Sequence, residues 1–172
     1  MSKFLSTELS LIIRIDANAA LTLSALVRSD LAAITEIESY VSQFDLNNLS
    51  PAELHSLGYS MHNIYNALEN SFRQISLSFE NHEHDQKGWH RELLNKMFLD
   101  IRSLRPAVLP EQVRSVLGEL LGFRHVFRHA YELKLDKART LALWNRWTRE
   151  NASVKQALTL FANELEQRGT EP

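Results

Sequence analysis

Between Arg124 and Tyr131 the chain gathers two guanidinium groups, two imidazoles and a phenol: Arg124, His125, Arg128, His129 and Tyr131. Such groups could bind phosphate and move protons, the work that cleavage of an RNA phosphodiester without a metal would need. The 2′-hydroxyl must lose a proton as it attacks the adjacent phosphorus, the leaving oxygen must gain one, and the negative charge that grows on the phosphate must be held. Histidine titrates near neutral pH and suits both proton transfers, whereas arginine keeps its charge and offers phosphate oxygens a planar fork. Arg124 and His129, five residues apart, are one pairing of these two groups. Arg128, His125, Arg105 and Arg102 are candidate phosphate or RNA contacts. His125 and His129 stand four residues apart and could share a divalent ion, but no third ligand is visible beside them, so neither a metal nor another cofactor is expected.

The elements that must position these groups read as helices. Five Gly and four Pro are too few for a sheet-rich chain, and helix formers fill the stretches between them. A first long helix is expected from near Asn18 to Phe44, with Leu23, Leu26, Ala33, Ile34, Ile37, Tyr40, Val41 and Phe44 at three-four spacing. A second opens at Ser50-Pro51-Ala52-Glu53, a capping box with Pro at the first helical position, and runs to about Glu80. Residues 81–88 form a polar link; His82, Glu83, His84 and Asp85, with His90 close by, are expected to be solvated rather than to bind metal. A third helix should run from Trp89 to about Ser103. A fourth, opened by Pro110, carries the motif. A turn near Lys134 to Asp136 leads into one or two C-terminal helices bearing Trp144, Trp147, Leu158, Phe161 and Leu165. The expected fold is all-α, an antiparallel bundle of four to five helices in a single domain over residues 1–172, with 1–27 an N-terminal extension and 167–172 a frayed tail.

On the fourth helix, Val113, Val116, Leu117, Leu120, Phe123 and Phe127 fall in one arc that should face the core, with Arg124 at its side near Leu117. Opposite lie Ser115, Gly118, Gly122, His125 and His129. Two glycines in a helix interior each cost about 0.5–1 kcal/mol relative to Ala, so something should pack closely on that face. Either a second copy of the chain or a fifth helix of the same chain could do so. An Arg and a His five residues apart diverge by about 140° on a regular helix, so a cleft between two motif helices would gather both better than one molecule alone. A homodimer is accordingly part of the expected mechanism. His129, near the helix C-terminus, would feel the negative end of the helix dipole, which favours its charged form.

Composition supplies the outer bounds. The chain has 172 residues, 44% hydrophobic, enough to bury its own core. It has no cysteine, which excludes disulfides, thiolate zinc sites and Cys nucleophiles and fits a cytoplasmic home. No uncharged run approaches a membrane span, and no signal peptide or membrane partner is expected. The net charge of −2 is uneven: residues 102–149 hold ten basic side chains against four acidic ones, a block of +6 on an otherwise acidic body. Such a block can attract phosphate locally, or it can be a solvated face.

The motif Arg-x4-His-x-Tyr, set in the string from Leu121 to Tyr131, resembles the signature of the HEPN superfamily, most closely the HepT-like toxin ribonucleases of HEPN/MNT toxin–antitoxin pairs. The resemblance spans roughly Arg28 to Phe161 and implies specific roles. Arg124 and His129 would form a metal-independent endoribonuclease site across a homodimer. Tyr131 would be the residue on which an MNT-type nucleotidyltransferase antitoxin places AMP, putting negative phosphates where substrate RNA must lie. The alternative is a non-catalytic helical module that keeps the fold and binds nucleotide or RNA, and that could serve as a subunit of a nucleotidyltransferase complex.

Overall fold

The computed structural model describes residues 15–80, 88–129 and 135–170. Within them lie five α-helices: α1 (Ala17–Val41), α2 (Pro51–Glu80), α3 (Trp89–Lys96), α4 (Arg114–His129) and α5 (Lys137–Gly169), with a 3₁₀ turn, Glu111–Val113, leading into α4. No strand occurs among the described residues. The all-helical reading thus holds.

The helix starts follow local chemistry. Ser50 Oγ accepts from the Glu53 N–H at 3.2 Å while the Glu53 carboxylate accepts from the Ser50 N–H at 2.8 Å, which closes the expected capping box. Asp16 caps α1 by accepting from the Ala19 N–H, and Asp136 caps α5 by accepting from the Arg139 N–H. The C-terminal segment is one helix, and it continues through Gln167 to Gly169.

α1 packs on both α2 and α5, while α4 lies along α2 with α3 and α5 at its flanks. Leu23, Val27, Ile34 and Val41 carry the buried stripe of α1; Leu26 and Tyr40, expected on it, are 38% and 48% exposed. Residues 17–27, assigned above to the N-terminal extension, are the first turns of α1. Arg28 binds Glu166 and Asn163 on α5, and Glu38 accepts from Trp147 Nε1, Asn151 and Lys155, so polar ties join these two helices at both ends of their contact.

The largest departure from expectation is α3, which ends at Lys96 instead of near Ser103. The reason is Arg105. Its side chain is 0% exposed, and a guanidinium held away from water must satisfy its donors from protein acceptors. Stopping the helix frees the carbonyls of Lys96 and Leu99, which accept from Arg105 together with the Pro106 carbonyl, while Glu80 supplies the counter-charge at 2.7 Å. Ser103, with φ of 67°, makes the reversal that brings Ile101 and Arg105 together. Burial pushes the Glu80 carboxyl up, but the hydrogen bonds and charges of Arg105 and Lys96 outweigh it and hold the group below its ordinary value.

Arg105→Met should therefore lower stability by about 3 kcal/mol, since it leaves the Glu80 carboxylate with only Lys96 and the Ser76 hydroxyl. A carboxyl with a depressed folded pKa contributes stability above its ordinary pKa and loses it as pH falls through the folded value. The gap between wild type and variant in urea unfolding should accordingly narrow below about pH 4. A gap that is constant from neutral to acidic pH would show that the pair does not carry the effect.

Candidate active site

α2 and α4 run antiparallel, and the residues at their contact alternate between apolar and polar. On α4, Val116, Leu117 and Leu120 are fully buried, as the arc predicts, and Phe123 and Phe127 are half-buried. Gly58 on α2 lets α4 approach: a Cβ there would stand 2.9 Å from the Phe127 ring and 2.8 Å from Leu135. Through its middle α2 offers His62, then Asn66 and Glu69 on the same face at four- and three-residue steps.

Arg124 meets this face. It is 8% exposed, its Nε donates to Asn66 Oδ1 at 2.6 Å, and its Nη2 pairs with Glu69 Oε2 at 2.8 Å. Glu69 is itself buried, and its second oxygen stands 2.5 Å from His90 Nδ1 on α3. Arg124 also lies 6.0 Å above the centroid of Tyr65, whose hydroxyl is enclosed without a hydrogen-bond partner. Burial first, then the Glu69 charge, pushes the Tyr65 phenol far above its ordinary value, so it stays neutral. One edge of the Arg124 fork is thus fixed by protein acceptors. Among the described residues no acceptor is seen on Nη1.

The other candidates fall in different places. Arg128 and His125 are exposed on α4, and Arg102 is exposed in the loop after α3. Arg105 is not available to RNA, because it is enclosed by Glu80 and backbone carbonyls as described above. His129 is the last residue of α4, and its side chain lies outside the described residues, as does Tyr131. The 82–85 cluster also lies outside them. His90 is not solvated as expected: it stands on Trp89 and binds Glu69. Among the described residues no three imidazole or carboxylate groups converge to hold a metal, and no helix is long and apolar enough to cross a membrane.

Four arginines of the basic block are held by glutamates. Arg105 is taken by Glu80, Arg114 by Glu111, Arg124 by Glu69, and Arg146 by Glu119 and Glu150. Among the described residues no fifth helix covers Gly118 and Gly122 on α4: a Cβ at either would meet nothing within 4 Å. Beside it runs a groove of about 730 Å³ between α4 and α5, lined by Gly122, Phe123, Val126, Arg139 and Thr140 among others, with Val126 53% exposed.

Asn66, Glu69 and His90 were not among the sequence candidates. The available signal was polarity inside a buried stripe: on α2, Glu69 lies amid Tyr65, Leu68 and Phe72, all fully buried, where a carboxylate is costly without a partner. The partner's identity could not be read from spacing, since it lies on another helix.

Residues 56–165 match the family described as HepT-like protein, a span that holds most of α2, all of α3 and α4, and most of α5. The chain belongs to that family. It is a HepT-like member of the HEPN superfamily, and membership suggests a HEPN-type toxin ribonuclease in a toxin–antitoxin setting at the level of the family. The match begins at residue 56, not near Arg28, so α1 falls outside it although it packs against matched helices on two sides. Neither curated proteins nor solved structures yield a match.

Glu69→Ala should cost about 3–5 kcal/mol by leaving the Arg124 guanidinium buried without its counter-charge. Adding Arg124→Met should recover part of that loss in a double-mutant cycle of urea midpoints. Additive losses would mean that the two side chains do not act as a pair.

Proposed function

We propose that this protein is a metal-independent toxin endoribonuclease whose site is built from Arg124 and His129 at the meeting of two copies of α4. The observation that carries the reading is the placement of Arg124: a guanidinium held on one edge by Asn66 and Glu69, on the helix that ends at His129 in a HepT-like chain. Such a group is preorganised to hold a phosphate oxygen with its remaining donors, and costs no rearrangement as charge develops. In the proposed reaction the 2′-oxygen bonds to phosphorus as the P–O5′ bond breaks, with His129 moving protons and Arg124 and the exposed Arg128 holding the phosphate. Tyr131, two residues past His129, is the proposed acceptor of AMP from a cognate MNT-type nucleotidyltransferase, and phosphates added there would compete for the same cations.

The open glycine face supports the homodimer. Nothing within the described chain covers Gly118 and Gly122, and a second α4 can approach only where no side chain stands between the backbones. A second reading, a helical module that binds nucleotide or RNA without cutting it, draws on the occupation of Arg124 Nε and Nη2 by protein acceptors. Growth separates the two. Expression of wild type in a bacterial host should arrest growth, His129→Ala should relieve the arrest, and co-expression with the nucleotidyltransferase should rescue cells making wild type but not Tyr131→Phe. Equal growth with wild type and His129→Ala would favour the binding module.

The dimer has its own test. Since a side chain at residue 122 meets open space, Gly122→Leu should fold with stability within about 1 kcal/mol of wild type. It should nevertheless sediment as a monomer and lose RNA cleavage by two orders of magnitude or more. A monomeric variant that cuts RNA at the wild-type rate would remove the second subunit from the mechanism.

A further inference from the structure

Tyr59 and His62 have no place in the reaction above, yet they join the candidate site to a second concavity. Tyr59 is 59% exposed, unusual for a phenol ring on a helix packed on two sides. It lines a groove of about 460 Å³ between α1 and α2, where Tyr40, 48% exposed, and the Glu36 carboxylate stand on the α1 wall and Asn63, Ser56 and Ser60 offer polar groups from α2. Tyr59 also stacks on His62, with centroids 6.4 Å apart and planes 21° from parallel. The His62 ring in turn lies 5.6 Å from that of Phe127, next in sequence to the exposed Arg128. A row of three rings therefore leads from the groove to α4.

The ionisation of His62 keeps this row uncharged. Its Nδ1 is enclosed with no hydrogen-bond partner, and an imidazolium would place an orphan N–H donor there. Burial, then the charges of Arg124 and Arg128, hold its pKa below the ordinary value. The charged groups facing it are thus the two arginines of α4; on its own helix its neighbours are Tyr59 and Asn66. A neutral ring with an enclosed Nδ1 is most cheaply protonated on Nε2, which makes it a flat surface with one donor.

We propose that the groove walled by Tyr59 and Tyr40, with Asn63 in its lining and His62 stacked behind Tyr59, is a subsite for an unpaired nucleobase of RNA bound next to the phosphate held at Arg128. Single-stranded RNA is recognised by stacking bases on aromatic side chains and bonding their edges, with a cation on the adjoining backbone. The groove supplies the stacking face, Asn63 an amide for a base edge and Arg128 the cation. Stacking sets affinity for any base. Asn63, which can donate and accept, sets preference among them.

The assignment rests on RNA being the substrate in the reading above, and it is tested without cleavage. Fully 2′-O-methylated octamers of A, C, G and U, which lack the attacking hydroxyl, are titrated against the full chain by fluorescence anisotropy. Tyr59→Ala should weaken binding by about 10- to 100-fold for every base. Tyr59→Phe, which keeps the ring, should bind within about twofold of wild type. Asn63→Ala should reorder the four affinities. Because Tyr59 is exposed, circular dichroism should show unchanged folding for its variants. Wild-type affinity in Tyr59→Ala would overturn the subsite, as would loss of self-association in that variant, which would make the groove a protein contact. Wild type that binds these octamers but cuts no RNA would refute the ribonuclease reading and leave the subsite standing, whereas failure to bind any of them would sink the subsite alone if cleavage is observed.

Discussion

The buried pair of Arg124 with Glu69 constrains the architecture more than any apolar contact. Hydrophobic side chains tolerate sliding, since a Leu that loses one apolar neighbour finds another. A guanidinium that is 8% exposed does not, because each donor turned away from water needs an acceptor at a fixed distance and direction. Asn66 and Glu69 lie one turn apart on α2 and take two different nitrogens of the same fork. Together they fix the rotation and the axial position of α4. The remaining contacts of the site follow from that register: Phe127 over Gly58, His62 between Phe127 and Tyr59, and Arg128 at the rim. His90 ties α3 to the same carboxylate, so three helices converge on Glu69.

Charge in this chain is local pairing more than a field. The segment that is +6 in sequence loses Arg105, Arg114, Arg124 and Arg146 to carboxylates, and each of those pairs contributes little attraction at a distance. Among the described residues of the segment, exposed cations remain at Arg102, Arg128, Lys137 and Arg149, with Arg139 beside Asp136. Any phosphate drawn to α4 would be drawn to a few points. That suits the placing of one scissile linkage better than the coating of a strand, and it explains how a chain of net charge −2 can belong to a family linked to ribonuclease action.

Much of the fold was legible because it rests on local chemistry. The Ser50 capping box, the Pro110 entry to the motif helix and the apolar arc from Val113 to Leu120 are short-range facts, and each is found where the sequence places it. What escaped the sequence is long-range. α3 ends early because Arg105 needs carbonyls, and no window around Ser103 contains that demand. Leu26 and Tyr40 have the right spacing on α1 but lie beyond the strip that α2 and α5 cover, since periodicity gives a face and not its width. At the site, the motif made Arg124 conspicuous while hiding its depth. Its partners sit 55 to 58 residues upstream on α2, and only packing brings them together.

A fork already committed to a carboxylate raises the question of how Arg124 could hold a phosphate. Glu69 neutralises most of its long-range pull, so Arg124 alone would neither recruit an anion nor offset the charge of a pentacoordinate phosphorane. What the pairing supplies is orientation: the guanidinium plane is set before substrate arrives, and any donor left over points in a defined direction. The missing positive charge must then come from elsewhere, and Arg128 one turn on is the nearest exposed source on α4. A second copy meeting across Gly118 and Gly122 would bring another pair of arginines and another helix terminus to the same linkage. On this argument the ion pair would fix the register of α4 while leaving one monomer short of the charge that the proposed reaction needs.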